Sequence, residues 1–96
     1  MASKFTGIKY DFDCGFYAVH AGQIVFPKNG ISGDKNDALM ALVRSTQGAY
    51  DGMSLNPTTT TEKVNAAHAD YVKARTLLAT HEAEIKAYEI ARQLAA

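Results

Sequence analysis

Ninety-six residues are enough for one domain with one small core. Apolar residues make up 47% of the chain, which excludes a disordered chain. Lys plus Arg and Asp plus Glu number ten each, so the sequence has neither the basic excess of a nucleic-acid binder nor the acidic excess of a mimic of one.

Ala2-Ser3-Lys4 leads directly into a strand-like pattern rather than the apolar stretch of a secretory signal. No window holds the roughly 18 apolar residues of a membrane span. The single cysteine, Cys14, supplies no internal disulfide framework. These features predict a cytoplasmic protein, and zero net charge disfavours a freely soluble lone monomer.

Phe5 to Pro27 is rich in aromatic and β-branched residues. Two-residue turns at Cys14-Gly15 and Ala21-Gly22 would fold it into a three-stranded antiparallel meander, with glycine second in each turn. In that register Phe12 pairs with Tyr17 and Phe26, and Tyr10 pairs with Val19 and Ile24. Ile8, Tyr10, Phe12, Tyr17, Val19, Ile24 and Phe26 then share one apolar face. Lys9, Asp11, Asp13, Ala18, His20 and Gln23 take the other, with Phe16 and Val25 as misfits on it.

Gly30-Ile31-Ser32-Gly33-Asp34-Lys35 has the order of a strand, a glycine-rich loop and a helix. Its glycine spacing is too short for a nucleotide-phosphate loop, and Lys35 does not directly follow Gly33. The plain reading is a β–α connection capped by Asp34. Helix 1 is predicted over residues 34–52. Leu39, Leu42, Val43, Thr46, Tyr50 and Met53 form its apolar stripe, and Gly52 provides the stop.

Helix 2 is predicted over residues 59–95. It opens with a Thr59-Thr60-Thr61-Glu62 capping box and contains no glycine or proline. Val64, Tyr71, Leu78, Ile85 and Arg92 recur every seven residues. Ala67, Ala74, His81, Tyr88 and Ala95 form the companion series, together an a/d heptad seam. Val72, Leu77, Ile90 and Leu94 add apolar surface off that seam. At 1.5 Å per residue the helix spans about 50 Å, too long for the rest of a small domain to cover. The excess predicts a homodimer or higher homo-oligomer, with Val64, Tyr71, Leu78, His81, Ile85 and Tyr88 at the interface.

Catalytic motifs are missing. Asp11 and Asp13 read as solvating charges on a hairpin, and no serine or cysteine lies in a GxSxG context. His20, His68, His81 and Cys14 lack metal-site spacing; His68 and His81 lie roughly 140° apart around one helix. No metal and no cofactor are expected. Asp70–Lys73, Glu82–Lys86 and Glu89–Arg92 have the spacing of helix-stabilising charge pairs.

The sequence therefore predicts an α+β fold: an N-terminal three-stranded antiparallel meander followed by a helical hairpin with a long C-terminal helix. The expected function is non-catalytic, as a small oligomeric protein that binds a protein partner without contacting nucleic acid or membrane. Small chains of this build without motifs are common among phage accessory proteins, both virion components and inhibitors of host machinery. The alternative is an oligomer that holds an anionic, nucleotide-like ligand between protomers, using Arg75 or Arg92 with Tyr71 or Tyr88.

Overall fold

The computed structural model describes residues 5–13, 15–27 and 33–95. Its order is β1 (Gly7–Asp11), β2 (Gly15–His20), β3 (Gln23–Phe26), α1 (Lys35–Leu55) and α2 (Thr61–Ala95). The three strands form one antiparallel sheet in the order β1-β2-β3. This is the expected α+β arrangement, with a meander followed by a helical hairpin.

The second turn of the meander falls where the sequence places it. Val19 faces Ile24 and His20 faces Gln23, leaving Ala21-Gly22 as the two-residue connection. Both turn residues have positive φ, 51° at Ala21 and 82° at Gly22. A type I′ turn requires this, and it matches the twist of the strands. The segment before β1 supports the turn: the Thr6 hydroxyl accepts from the Ala21 amide at 3.0 Å, and the Phe5 carbonyl from the Gly22 amide at 2.8 Å.

The first turn corrects the expected register. Tyr10 pairs with Phe16 and Asp11 with Gly15, so the connection has three residues rather than two. Gly15, at φ 81°, ends this longer loop, the position at which a three-residue hairpin calls for a left-handed residue. The Asp11 carboxylate accepts from the Asp13 amide at 2.8 Å and tightens the bend. Cys14 lies outside the described residues.

Relative to the expected pairing the register moves by an odd number of residues, which turns β2 over. Phe16 now packs on the core beside the buried Ala18, together with Ile8 from β1. Tyr10 shares this face, against Phe16, but stands at its rim at 62% exposure, and Phe12 lies in the turn at 92% exposure. A bulge between Ala18 and Val19 places Phe26 opposite Ala18 instead of Tyr17, and lets Val25 and Phe26 both reach the core. Phe16 and Val25 are thus core residues, not outward misfits.

Helix α1 starts as expected. Asp34 and Asp37 form a reciprocal capping box: Asp34 Oδ1 accepts from the Asp37 amide at 2.9 Å, and Asp37 Oδ2 from the Asp34 amide at 3.3 Å. The helix then runs through Gly52 to Leu55 and stops at Asn56, whose extended backbone is what a following proline, Pro57, imposes. The expected stop at Gly52 is therefore corrected: a helix can accept glycine at about 1 kcal/mol, but not the residue before proline. Ala38, Leu39, Leu42 and Thr46 are buried, and Val43, Tyr50 and Met53 half-buried. The Thr46 hydroxyl donates back to the Leu42 carbonyl at 2.8 Å, so its polar atom is satisfied inside the core.

Helix α2 is capped one residue later than expected. Thr60 Oγ1 accepts from the Lys63 amide at 3.3 Å, so the box with Glu62 does not form. The two helices are antiparallel neighbours, and α1 is the central element, packed against both the sheet and α2. The core lies where they meet: Ala18, Ala38, Leu42 and Ala74, flanked by Ile8, Phe16, Val25, Phe26, Val43 and Leu77. The three alanines let sheet and helices approach closely.

Candidate interaction site

Helix α1 has 21 residues and α2 has 35, so α2 outruns its partner by about 21 Å at 1.5 Å per residue. The molecule measures 58 × 28 × 25 Å, with a radius of gyration of 15.8 Å. A compact chain of this length would have roughly 12–13 Å. The excess lies at one end. Up to His81, α2 alternates covered and open residues; from Glu82 to Ala95 every residue is exposed.

This arm carries four large apolar side chains: Ile85 (42% exposed), Tyr88 (68%), Ile90 (49%) and Leu94 (82%). Ile85 and Tyr88 continue the heptad seam. Ile90 and Leu94 fall on the opposite face with Ala83 and Ala87, at 100° per residue. Glu82, Lys86, Glu89 and Gln93 occupy one flank between them. Such a segment is apolar on two sides and covered on neither.

The six predicted seam residues divide at the body of the domain. Val64, Tyr71, Leu78 and His81 are half-buried on the docked half of α2, while Ile85 and Tyr88 stand free on the arm. The four predicted ligand residues divide in the same way. Arg75 donates to the Tyr71 hydroxyl at 3.3 Å and lies 5.9 Å from its ring centroid. Tyr71 stacks on Tyr50 at 6.3 Å, and Tyr50 meets His68 at 5.0 Å. Tyr88 and Arg92 lie about 25 Å further along the helix, so one chain does not bring the two pairs together.

A groove of about 370 Å³ opens where the arm leaves the body, lined by Ile8, Tyr10 and Phe16 from the sheet and by Leu39, Leu77 and His81 from the helices. Lys9, Lys35 and Glu84 also line it. Tyr10 and Phe16 meet edge-on at 4.9 Å. The sequence reading missed this groove, because it depends on the register that turns Phe16 inward.

A polar bridge missed by the sequence reading ties the sheet to both helices. His20 Nδ1 and Ser45 Oγ share a hydrogen bond of 2.7 Å, and His20 Nε2 lies 4.0 Å from Asp70 Oδ2. Hydroxyl, imidazole and carboxylate follow the order of a nucleophilic relay. The Nε2–carboxylate gap exceeds a hydrogen bond, and neither the groove above nor the shallow hollow at Asp11, Tyr17, Ile24 and Pro27 is lined by these three residues. The arrangement serves as a clasp holding β2 on α1 and α2. Asp70 turns to His20 rather than to Lys73, whose ammonium lies 5.2 Å from the Phe5 ring centroid.

Of the glycine-rich segment 30–35, read from the sequence as a capped β–α connection, residues 30–32 lie outside the described residues. The helix start that follows is occupied by its own Asp34–Asp37 box, which repels an anion. Among the described residues no cluster of three or more His, Cys, Asp or Glu side chains is arranged to hold a metal ion. Among them, too, no helix is long and apolar enough to cross a membrane. Comparison with protein-family models, with curated proteins and with solved structures finds no match to this chain.

Proposed function

We propose that this chain is a non-catalytic interaction protein that acts through the arm of α2, assembling with further copies or docking on a macromolecular partner. The observation that carries this reading is the run 82–95, wholly exposed and apolar on two faces. The arm continues a helix nucleated by its docked half, and covering its apolar faces would add the packing that stabilises most helices. Zero net charge fits a surface that associates rather than one that stays apart. The reading covers phage-type accessory roles, in which a small cytoplasmic chain occupies a surface of a larger assembly.

The test is a paired substitution, Ile85→Glu with Tyr88→Glu, followed by sedimentation and partner capture. Both side chains lie outside the core, so the fold and melting temperature should hold while association is lost. Unchanged association and capture would remove the arm from the function.

One observation favours a second reading, an oligomeric small-molecule binder. The groove at the base of the arm has the volume of a ligand site and is lined by Lys9, Lys35 and His81, with Glu84 as the opposing charge. Its cations are not Arg75 or Arg92. A thermal-shift panel of nucleotides tests it: a ligand at 100 times its Kd stabilises by about 2.7 kcal/mol, and a flat panel retires the reading.

A further inference from the structure

We infer that the arm of α2 pairs antiparallel with the arm of a second copy of this chain, about a two-fold axis level with Ile90. The inference rests on the interaction reading above and names the occupant of the arm. It starts from the spacing of the seam. On the arm the seam consists of Ile85, Tyr88, Arg92 and Ala95. These four positions are symmetric about residue 90, so an antiparallel copy sets Ile85 against the partner's Ala95 and Tyr88 against the partner's Arg92. Each a position then meets a d position, the matching that antiparallel helices require. Any a-d-a-d run has this symmetry, so the spacing permits the antiparallel pair; the residues select it, because a parallel pair would set Arg92 against Arg92.

The chemistry agrees with the spacing. Arg92 is polar at a seam position, where in the single chain it has the i,i+3 spacing to Glu89. Against the partner's Tyr88 it becomes a cation over an aromatic face, made twice by symmetry. The large Ile85 meets the small partner Ala95, so the helices can approach closely. Ala91 lies near the axis on one flank and leaves room. The unfavourable approach is Glu89 to its own copy on the other flank; Lys86 and Arg92, each three residues away on the same helix, offset it.

The body of the domain agrees as well. Helix α1 already lies antiparallel on the docked half of the seam and begins beside Glu84, since Lys35 and Glu84 line the same groove. The partner's arm runs in the same direction as α1 and ends at the level of Ile85. It therefore continues the line of α1 along the exposed half of α2. The partner's last turn brings the negative end of a helix toward the start of α1; the Asp34 and Asp37 carboxylates there oppose that approach, and Lys35 in the same turn offsets part of it. The overlap is short, so the pair belongs with small, reversible interfaces.

The experiment uses the full chain with Cys14→Ser, carrying either Ile85→Cys or Ala95→Cys. In the antiparallel pair each new cysteine lies about 15 Å along the axis from its own copy, beyond disulfide reach, but faces the other variant. Mild oxidation should cross-link an equimolar mixture and neither variant alone, with unchanged circular dichroism showing that both remain folded. Arg92→Glu should weaken self-association at least about tenfold in a sedimentation series. Cross-linking of each variant with itself would overturn the antiparallel pairing while leaving assembly through the arm intact. A monomer at every concentration, with no cross-link in the mixture, would overturn a second copy as the occupant; the Glu pair would then still test whether the arm serves a different macromolecule.

Discussion

Ala21 occupies a backbone conformation that suits glycine or asparagine better. At φ 51° its methyl group crowds the following carbonyl, a cost of roughly 1 kcal/mol. The Thr6 and Phe5 acceptors hold the turn in place despite that cost. Ala21→Asn should therefore stabilise the protein by about 0.5–1 kcal/mol, read as a higher urea midpoint at unchanged slope. Ser45→Ala acts in the other direction. It leaves His20 without its 2.7 Å partner at a half-buried site, and should cost about 1 kcal/mol without affecting self-association. If the same substitution abolished association, the clasp would belong to the interface rather than to the fold.

Within the elements, sequence legibility differed between sheet and helices for a physical reason. A helix fixes its own register, so Leu39, Leu42 and Thr46 were identifiable as core residues from their spacing alone. A hairpin takes its register from its turn, and Gly15 suits either the second place of a two-residue turn or the end of a three-residue one. Locally, the Asp11 side chain, which accepts from the Asp13 amide, favours the longer turn. The choice decided whether Phe16 or Tyr17 faced inward, and with it whether the groove at the base of the arm was visible. The docked half of the α2 series, Val64 to His81, was legible from its spacing, but the point at which its cover ends depends on how far α1 reaches. In α1, Gly48 and Gly52 lie within the helix with open space where a Cβ would stand. Gly48→Ala and Gly52→Ala should each add up to about 1 kcal/mol, approximately additively, in thermal or urea unfolding. A loss at either position would show that the glycine is kept for a close approach by a partner.

For the whole molecule, the core lies at one end and the apolar arm at the other. Stability should be distributed accordingly. Amide exchange in residues 64–81 should approach the global unfolding limit, while residues 82–95 exchange far sooner in dilute solution. Raising the concentration should slow exchange in the arm alone if a second copy covers it. Equal exchange along all of α2 at high dilution would mean that the arm needs no cover.

Because the arm contributes nothing to the core, its length is free of the constraints that hold the rest of the chain. Seven residues inserted after Lys86 would move the tip outward by about 10 Å and preserve the phase of the seam, whereas four would rotate it by about 40°. The domain thus carries a spacer that insertions or deletions can retune in whole heptads, changing the distance between two bodies without disturbing how either one folds.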